Sequence, residues 1–519
     1  MAATTTGRLC RGVLTVSLTA ATLLTTTSAN ARTPEPVTAL GPTVTHTGTG
    51  PTGYQVTFRV KAPSAGSMRI KGTWSFASTA STSTDPTNAT PVSAADWKPG
   101  DFPLQSPNQP GEAWAVGTMT KDASGIWSYT VPLPSGTFDY QLYADCASAT
   151  LTGCTATTDP ANPAWTTAGS PAVFSQVYVP SDRKSGTPDL SYTADVPASR
   201  RGKLTEVTYP TPNSATGEHQ LAVYTPPGYD PERSTPYPVF LLSHGGGENE
   251  LAWSTRGRLE QIVDHLIAAG RMQPAVVVMP NGSGITMGSY TTEITGTVLP
   301  YIEQHYNIGT DAADRAFAGT SAYGTQANNF LFGDTGAFGY YGVWSPASGA
   351  PAVTVTGSGD TPVDEAYKKP ALKKLLGVHL AIGQQDLGGN APMMTAITER
   401  EGLINAGVPF TYYSVGGGHT WALWQRTLHD FLSRVGFRAT TTKVTTDGSG
   451  RPTATVTAAT SEPATPTGTV QFKADGVDLG GPVRLRGGKA VLPGRAAAGT
   501  GETITAVYSG DRLYNDSTG

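Results

Sequence analysis

In YQVTFRVKAP, Val56, Phe58 and Val60 alternate with Thr57 and Arg59, the two-residue period of a strand with one buried face. SGIWSYTVPLPSGTFDYQLYAD reads as two more strands joined by a Pro-Gly turn, whereas STASTSTDPTNATPVSAAD has little to bury and reads as a long loop. Residues 41–182 are therefore expected to form a β-sandwich. The pattern changes near residue 200. VFLL (239–242) and AVVVM (275–279) are short continuous apolar runs, as in strands buried on both faces of a parallel sheet. Between them, RLEQIVDHLIAAG places Leu259, Ile262, Val263, Leu266 and Ile267 on one helical face, with Gly270 as the stop. AFAG, GVWS, VHLAIG and FTYYSV read as further strands, and ANNFLF and WALWQRTLHDFLSRV as helices. Residues 200–437 thus predict a doubly wound, mostly parallel α/β sheet. From residue 439 to 519, strand-sized runs (TTTKVTTDG, PTATVTAATS, TGTVQFKADG, ETITAVYSGD) recur about every ten residues, as in an immunoglobulin-like sandwich.

Composition adds limits. With 519 residues the chain exceeds one ordinary core, in keeping with these three regions. Charged residues are 14% and the net charge is −4, without a block of one sign, which argues against a nucleic-acid partner. The first residues set the destination. Arg8 and Arg11 precede an apolar stretch, and Ala29-Asn30-Ala31 offers a cleavage site, so residues 1–31 read as a signal peptide of an extracellular protein. The apolar part is shorter than the roughly 20 residues of a transmembrane helix, and no membrane anchor is expected. Cys10 leaves with the signal. Cys146 and Cys154 remain as an even pair in an oxidising compartment and are expected to form a disulfide.

The chemistry-bearing signals all lie in the α/β region, each after an expected strand. LLSHGGGENE (241–250) is glycine-rich, so a backbone N–H there, from Gly245, is a candidate oxyanion donor. GTSAYG (319–324) has the strand-turn-helix context of a nucleophile elbow, with Ser321 as nucleophile and the Ala322 N–H as second donor. Tyr323 departs from the usual G-x-S-x-G; it is expected either to line the acyl pocket or to shift the elbow. Asp386 follows VHLAIG, and His419 stands in VGGGHTW. A serine hydroxyl needs a base to take its proton, and the histidine needs a carboxylate to fix its tautomer. The order Ser, Asp, His is that of the α/β hydrolases. His244 is expected to position the loop, and Trp253 and Trp421 to stack on an acyl group or sugar. No H-E-x-x-H or comparable cluster points to a metal, and no cofactor is expected.

Residues 200–437 resemble the esterase D-like group of α/β hydrolases, which includes the family-one carbohydrate esterases (feruloyl and acetylxylan esterases). LAVYTPPGYD, PVFLLSHGGGENELAW, VVVMPNG, RAFAGTSAYGTQANNFLF, GVWSPASG, AIGQQD and GGGHTWALWQRTLHDFL carry the likeness. It implies the nucleophile at Ser321, the acid at Asp386, the base at His419 and oxyanion N–H groups at Gly245 and Ala322. The preceding region is similar to the E-set-like sandwich that precedes some of these esterases and the enterochelin esterases, itself similar to a carbohydrate-binding module. The last residues resemble bacterial Ig-like repeats ending in TAVYSGDxxYNxST, matched from Thr505 to Thr518. Such repeats continue with one more strand, which implies that the last strand is missing here.

The expected function is a secreted serine esterase acting on feruloyl or acetyl esters of plant cell-wall polysaccharide. Carbohydrate binding by the first sandwich is a companion expectation. Two other readings fit the same residues: a secreted acyltransferase of this fold, and a non-catalytic wall-binding protein in which Tyr323 has spoiled the elbow. Export argues against intracellular release of iron from a siderophore lactone.

Overall fold

A computed structural model describes residues 39–519, apart from 79, 82–90, 105–113, 164–173, 353–363, 387–391, 439, 448–449, 459–464, 494–502, 512–513 and 515. The expected signal peptide lies outside the described residues. No described helix is long and apolar enough to cross a membrane.

Two four-stranded antiparallel sheets come first. Tyr54–Lys61 pairs with Gly41–His46 on one side and Ile126–Pro132 on the other, and Gly136–Ala144 lies between Ser175–Val179 and Met68–Gly72. The strands flanking the Pro-Gly turn therefore belong to different sheets. Val56 and Phe58 from one sheet and Ile70, Tyr140 and Val177 from the other share a core. The polar stretch is not all loop. Its Pro91–Ser93 forms a strand beside Ser75–Ala77, because the buried Phe76 and Ala77 give it an apolar neighbour to cover. Cys146 and Cys154 are joined by a disulfide.

The central sheet has eight strands: β1 (Lys203–Pro210), β2 (Glu218–Thr225), β3 (Val239–Ser243), β4 (Val276–Pro280), β5 (Arg315–Thr320), β6 (Tyr340–Trp344), β7 (Gly377–Gly383) and β8 (Thr411–Val415). Their order is β1-β2-β4-β3-β5-β6-β7-β8; β2 is antiparallel to both neighbours and the other pairs are parallel. This is an α/β-hydrolase sheet.

Both faces are buried, which explains the unbroken apolar runs. Along β3, Val239 and Leu241 enter one core while Phe240 and Leu242 enter the other. Helices α1 (Leu259–Ala268) and α4 (Trp421–Arg434) cover the second face, and α2 (Ala322–Phe332) and α3 (Pro392–Ala406) the first.

Register decides where the chain leaves the sheet. Ser243, Gly319, Val343, Leu380 and Tyr412 stand in one row across β3, β5, β6, β7 and β8. Ser321 lies two residues beyond that row, so the turns after β5, β7 and β8 open on the same C-terminal edge.

The C-terminal strands follow as expected. Thr440–Thr446 pairs with Pro452–Ala458, and Thr469–Ala474 with Ile504–Tyr508. Ser517–Thr518 pairs with the latter strand. Val456, Phe472 and Tyr508 share a separate core.

Candidate active site

Ser321 stands between β5 and α2 with φ 55° and ψ −118°, a conformation that L-residues rarely adopt. Neighbours hold it there. Its N–H donates to the Trp344 carbonyl at the end of β6 (3.0 Å), and its own carbonyl accepts from Thr325 N–H (3.2 Å). The hydroxyl is thereby raised above the sheet edge, where Oγ meets His419 Nε2 at 2.8 Å. The other ring nitrogen, Nδ1, faces both Asp386 carboxylate oxygens at 3.0 and 3.1 Å. Because the carboxylate accepts from Nδ1–H, Nε2 carries the lone pair that accepts from Ser321 Oγ.

The loops bearing acid and base are laced together. Gln384 N–H donates to the Val415 carbonyl, and Gln385 N–H to that of Gly417, while Gln385 Oε1 accepts from Gly417 N–H at 2.8 Å. Asp386 is wholly buried, whereas the His419 side chain is 22% exposed and so open to a small molecule.

Residues 213–435 match the family model described as "Putative esterase". That match takes in the whole segment from β2 to α4. Residues 437–519 match a second model, "Bacterial Ig-like domain (group 3)". The chain is similar to an endo-1,4-beta-xylanase/feruloyl esterase of Xylanibacter ruminicola, at 27% identity over 60% of this chain and 40% of that one. It is also similar to endo-1,4-beta-xylanase Y of Acetivibrio thermocellus, at 37% identity over 21% of this chain and 10% of that one. It thus spans 40% or less of these relatives' lengths. Among solved structures, a point mutant of the feruloyl esterase module from Clostridium thermocellum, complexed with sinapinate, is 23% identical. That likeness covers 47% of this chain and 91% of the other, with a TM-score of 0.39.

The esterase region resolves the question of Tyr323. Its ring is 5% exposed and turns beneath the site, edge-on to His244 (4.8 Å) and Tyr290 (4.7 Å), and covers Gly282. It neither lines an acyl pocket nor displaces the elbow. Burial raises its hydroxyl to about pKa 12, so it stays neutral. The close helix-to-strand approach falls one residue later: a side chain at Gly324 would stand 2.7 Å from the Trp344 carbonyl oxygen. The glycine that this elbow requires after the serine is therefore Gly324, and position 323 is free to hold a large ring.

Three other expectations change. Trp253 is 1% exposed, donates to the Ser243 carbonyl at 3.0 Å and packs edge-on against Trp344 and Trp421, so it stacks on no ligand. Trp421 is 3% exposed and donates to Glu248 Oε1 at 2.9 Å, so it braces the loop instead. Gly245 N–H points at Glu248 Oε2 (3.0 Å), which removes it as a vacant oxyanion donor. The neighbouring Gly246 lies against the elbow: a methyl group there would stand 3.5 Å from that of Ala322. As the first residue of α2, Ala322 has no carbonyl one turn back for its N–H to meet.

His244 bridges the glycine-rich loop and the turn after β4. Gly282 N–H donates to its Nε2 (2.9 Å), so its proton sits on Nδ1 and is donated to the Gly245 carbonyl (2.6 Å). Burial pushes this imidazole down to about pKa 4 and keeps it neutral. Glu248 was not anticipated. Its only sequence signal is an acid inside HGGGENE, since its partner Trp421 is 173 residues away.

Proposed function

We propose that this protein is a secreted serine carboxylic-ester hydrolase that works through an acyl-enzyme on feruloyl or acetyl esters of plant cell-wall polysaccharide. The observation that carries the reading is His419, bonded to Ser321 Oγ at 2.8 Å and to Asp386 at 3.0 Å. As Ser321 Oγ attacks the ester carbonyl, its proton passes to His419 Nε2, and Asp386 stabilises the imidazolium through Nδ1–H. The carbonyl oxygen gains negative charge and accepts from the Ala322 N–H and, in this proposal, the Gly246 N–H. His419 then gives its proton to the departing alcohol oxygen, leaving the acyl group on Ser321. Water enters, loses a proton to His419 and attacks the acyl carbon. The acid leaves, and Ser321 Oγ regains the proton.

The substrate class draws support from the relatives, one of which is described as a xylanase/feruloyl esterase. Residues 41–182 and 439–519 are read as two β-sandwich domains flanking residues 200–437, an arrangement suited to work on an insoluble polymer. Secretion rests on the leader read over residues 1–31.

The test is a hydrolysis panel of 4-nitrophenyl acetate, methyl ferulate and acetylated xylan, with Ser321→Ala as control. Turnover is expected on at least one ester, falling by about 10⁶-fold in kcat in the variant. An absence of Ser321-dependent turnover on all three rejects the reading. Addition of an alcohol acceptor reports any transfer product.

A further inference from the structure

Outside the triad, an unusual charged group in the esterase region joins it to the N-terminal sheets. Asp139, on the strand Gly136–Ala144, accepts from Arg256 Nε at 3.1 Å. Arg256 Nη1 stands 3.7 Å from Glu248 Oε1. Glu248 in turn accepts from Gly245 N–H and from the Trp421 indole. All three charged side chains are at most 10% exposed. Each is fixed from outside the line as well. Gln176 Nε2 donates to Asp139 Oδ1 (2.8 Å), Gln425 holds the Arg256 carbonyl (2.7 Å), and the guanidinium lies 5.2 Å over the Phe174 ring.

We propose that Asp139 is a positioning residue for the oxyanion loop, acting through Arg256 and Glu248. The inference rests on the esterase reading above. Two buried carboxylates share one guanidinium, and each limits how far Arg256 can move toward the other. With Asp139 present, Arg256 stays at 3.7 Å from Glu248, and the carboxylate keeps its directional bond to Gly245 N–H. Without the Asp139 charge, the guanidinium of Arg256 is drawn more strongly to Glu248, and a closer ion pair competes with that backbone bond. The loop then loses the anchor that sets Gly246 beside Ala322. A shift of a few tenths of an ångström matters there, because an oxyanion donor acts only when aimed at the developing charge. A strand of the N-terminal sheets thereby becomes part of the esterase machinery.

The test is a double-mutant cycle on the full chain, with Asp139→Asn, Glu248→Gln and the pair, read as kcat and KM on 4-nitrophenyl acetate beside thermal melts. Each single variant is expected to lose about tenfold in kcat with KM within twofold of wild type, a fraction of the roughly 100- to 1,000-fold that follows loss of a whole donor. The double variant is expected to match Glu248→Gln alone within twofold, because Asp139 acts through Glu248. Losses that multiply to about 100-fold, or an Asp139→Asn protein with wild-type kcat, would overturn the proposal. Asp139→Glu keeps the charge but displaces it by one methylene. It covers the case in which Asp139→Asn does not fold: the same rule applies, with a kcat loss that must vanish in the Glu248→Gln background. Wild-type protein without Ser321-dependent turnover would instead defeat the esterase reading itself, which separates the two failures.

Discussion

At the scale of single residues, the groups proposed to react were legible because each sits where a short apolar run ends. Ser321, Asp386 and His419 follow β5, β7 and β8, and the chemistry asks for those three residue types in that order. The supporting residues were not legible, because their roles depend on neighbours remote in sequence. Nothing local to Trp421 says that its indole meets Glu248, and nothing local to Tyr323 says that Gly282 leaves room for its ring. The proposed oxyanion donor is Gly246 in place of Gly245 for the same reason: a carboxylate three residues on accepts from the Gly245 N–H. This gives a test of Gly246. A proline there removes the N–H, whereas an alanine keeps it and meets Ala322 at an ordinary contact distance of 3.5 Å. Gly246→Pro is expected to lower kcat roughly 100- to 1,000-fold, and Gly246→Ala less than fivefold. Steady-state kinetics on 4-nitrophenyl acetate decide it, provided that both variants show the wild-type circular dichroism spectrum.

Elements were legible where one face is apolar and ambiguous where the polar face is also covered. Helix α1 has the expected buried stripe of Leu259, Ile262, Val263 and Leu266, yet Gln261 and Asp264 are buried too. The chain before β1 wraps over them: Arg258 and Gln261 bond to Asp195, and His265 to the Ala194 carbonyl. Helix α3 hides a different feature. Glu399 is wholly buried beside Asn328, and burial lifts its carboxyl from 4.5 to about 8. The sign of the linkage follows. Below pH 4.5 both folded and unfolded chains hold the proton, and the contribution to stability is complete. Between 4.5 and about 8 the unfolded chain releases it while the folded chain keeps it, so stability falls as pH rises. Above about 8 the contribution is gone. Urea unfolding should therefore show a loss of a few kcal/mol between pH 5 and pH 8. Glu260, lifted by burial to about 7, titrates in the same window, so Glu399→Gln, neutral and of the same shape, should lessen that slope without abolishing it and exceed wild-type stability at pH 8. Equal slopes in the two proteins would mean that Glu399 does not carry the effect.

On the scale of the whole molecule, the two flanking regions attach to the esterase region by unlike means. The N-terminal side is joined through buried charge, Asp139 with Arg256, and through the segment that covers α1. A cavity of about 440 Å³ also lies between them, lined by Trp97, Phe102 and Phe138 on one side and by Gln384 and Arg426 on the other. The C-terminal side meets Gln273 through an exposed hydrogen bond to Asp516 (2.8 Å) and brings Asp511 and Tyr514 within electrostatic reach of the buried Arg438, while the apolar esterase core closes before it, at the fully buried Phe437. Breaking a buried ion pair by removing one partner costs about 3–5 kcal/mol, whereas an exposed hydrogen bond contributes about 1. The chain ended after Arg438 is therefore expected to keep kcat and KM for 4-nitrophenyl acetate within twofold. The chain begun at residue 200 strands the Arg256 charge in an opened interface, uncovers α1 and should melt at a markedly lower temperature with reduced kcat. Thermal melts and initial rates on both truncations give the comparison. Equal losses from the two cuts would show that the attachment does not differ in the way these contacts require.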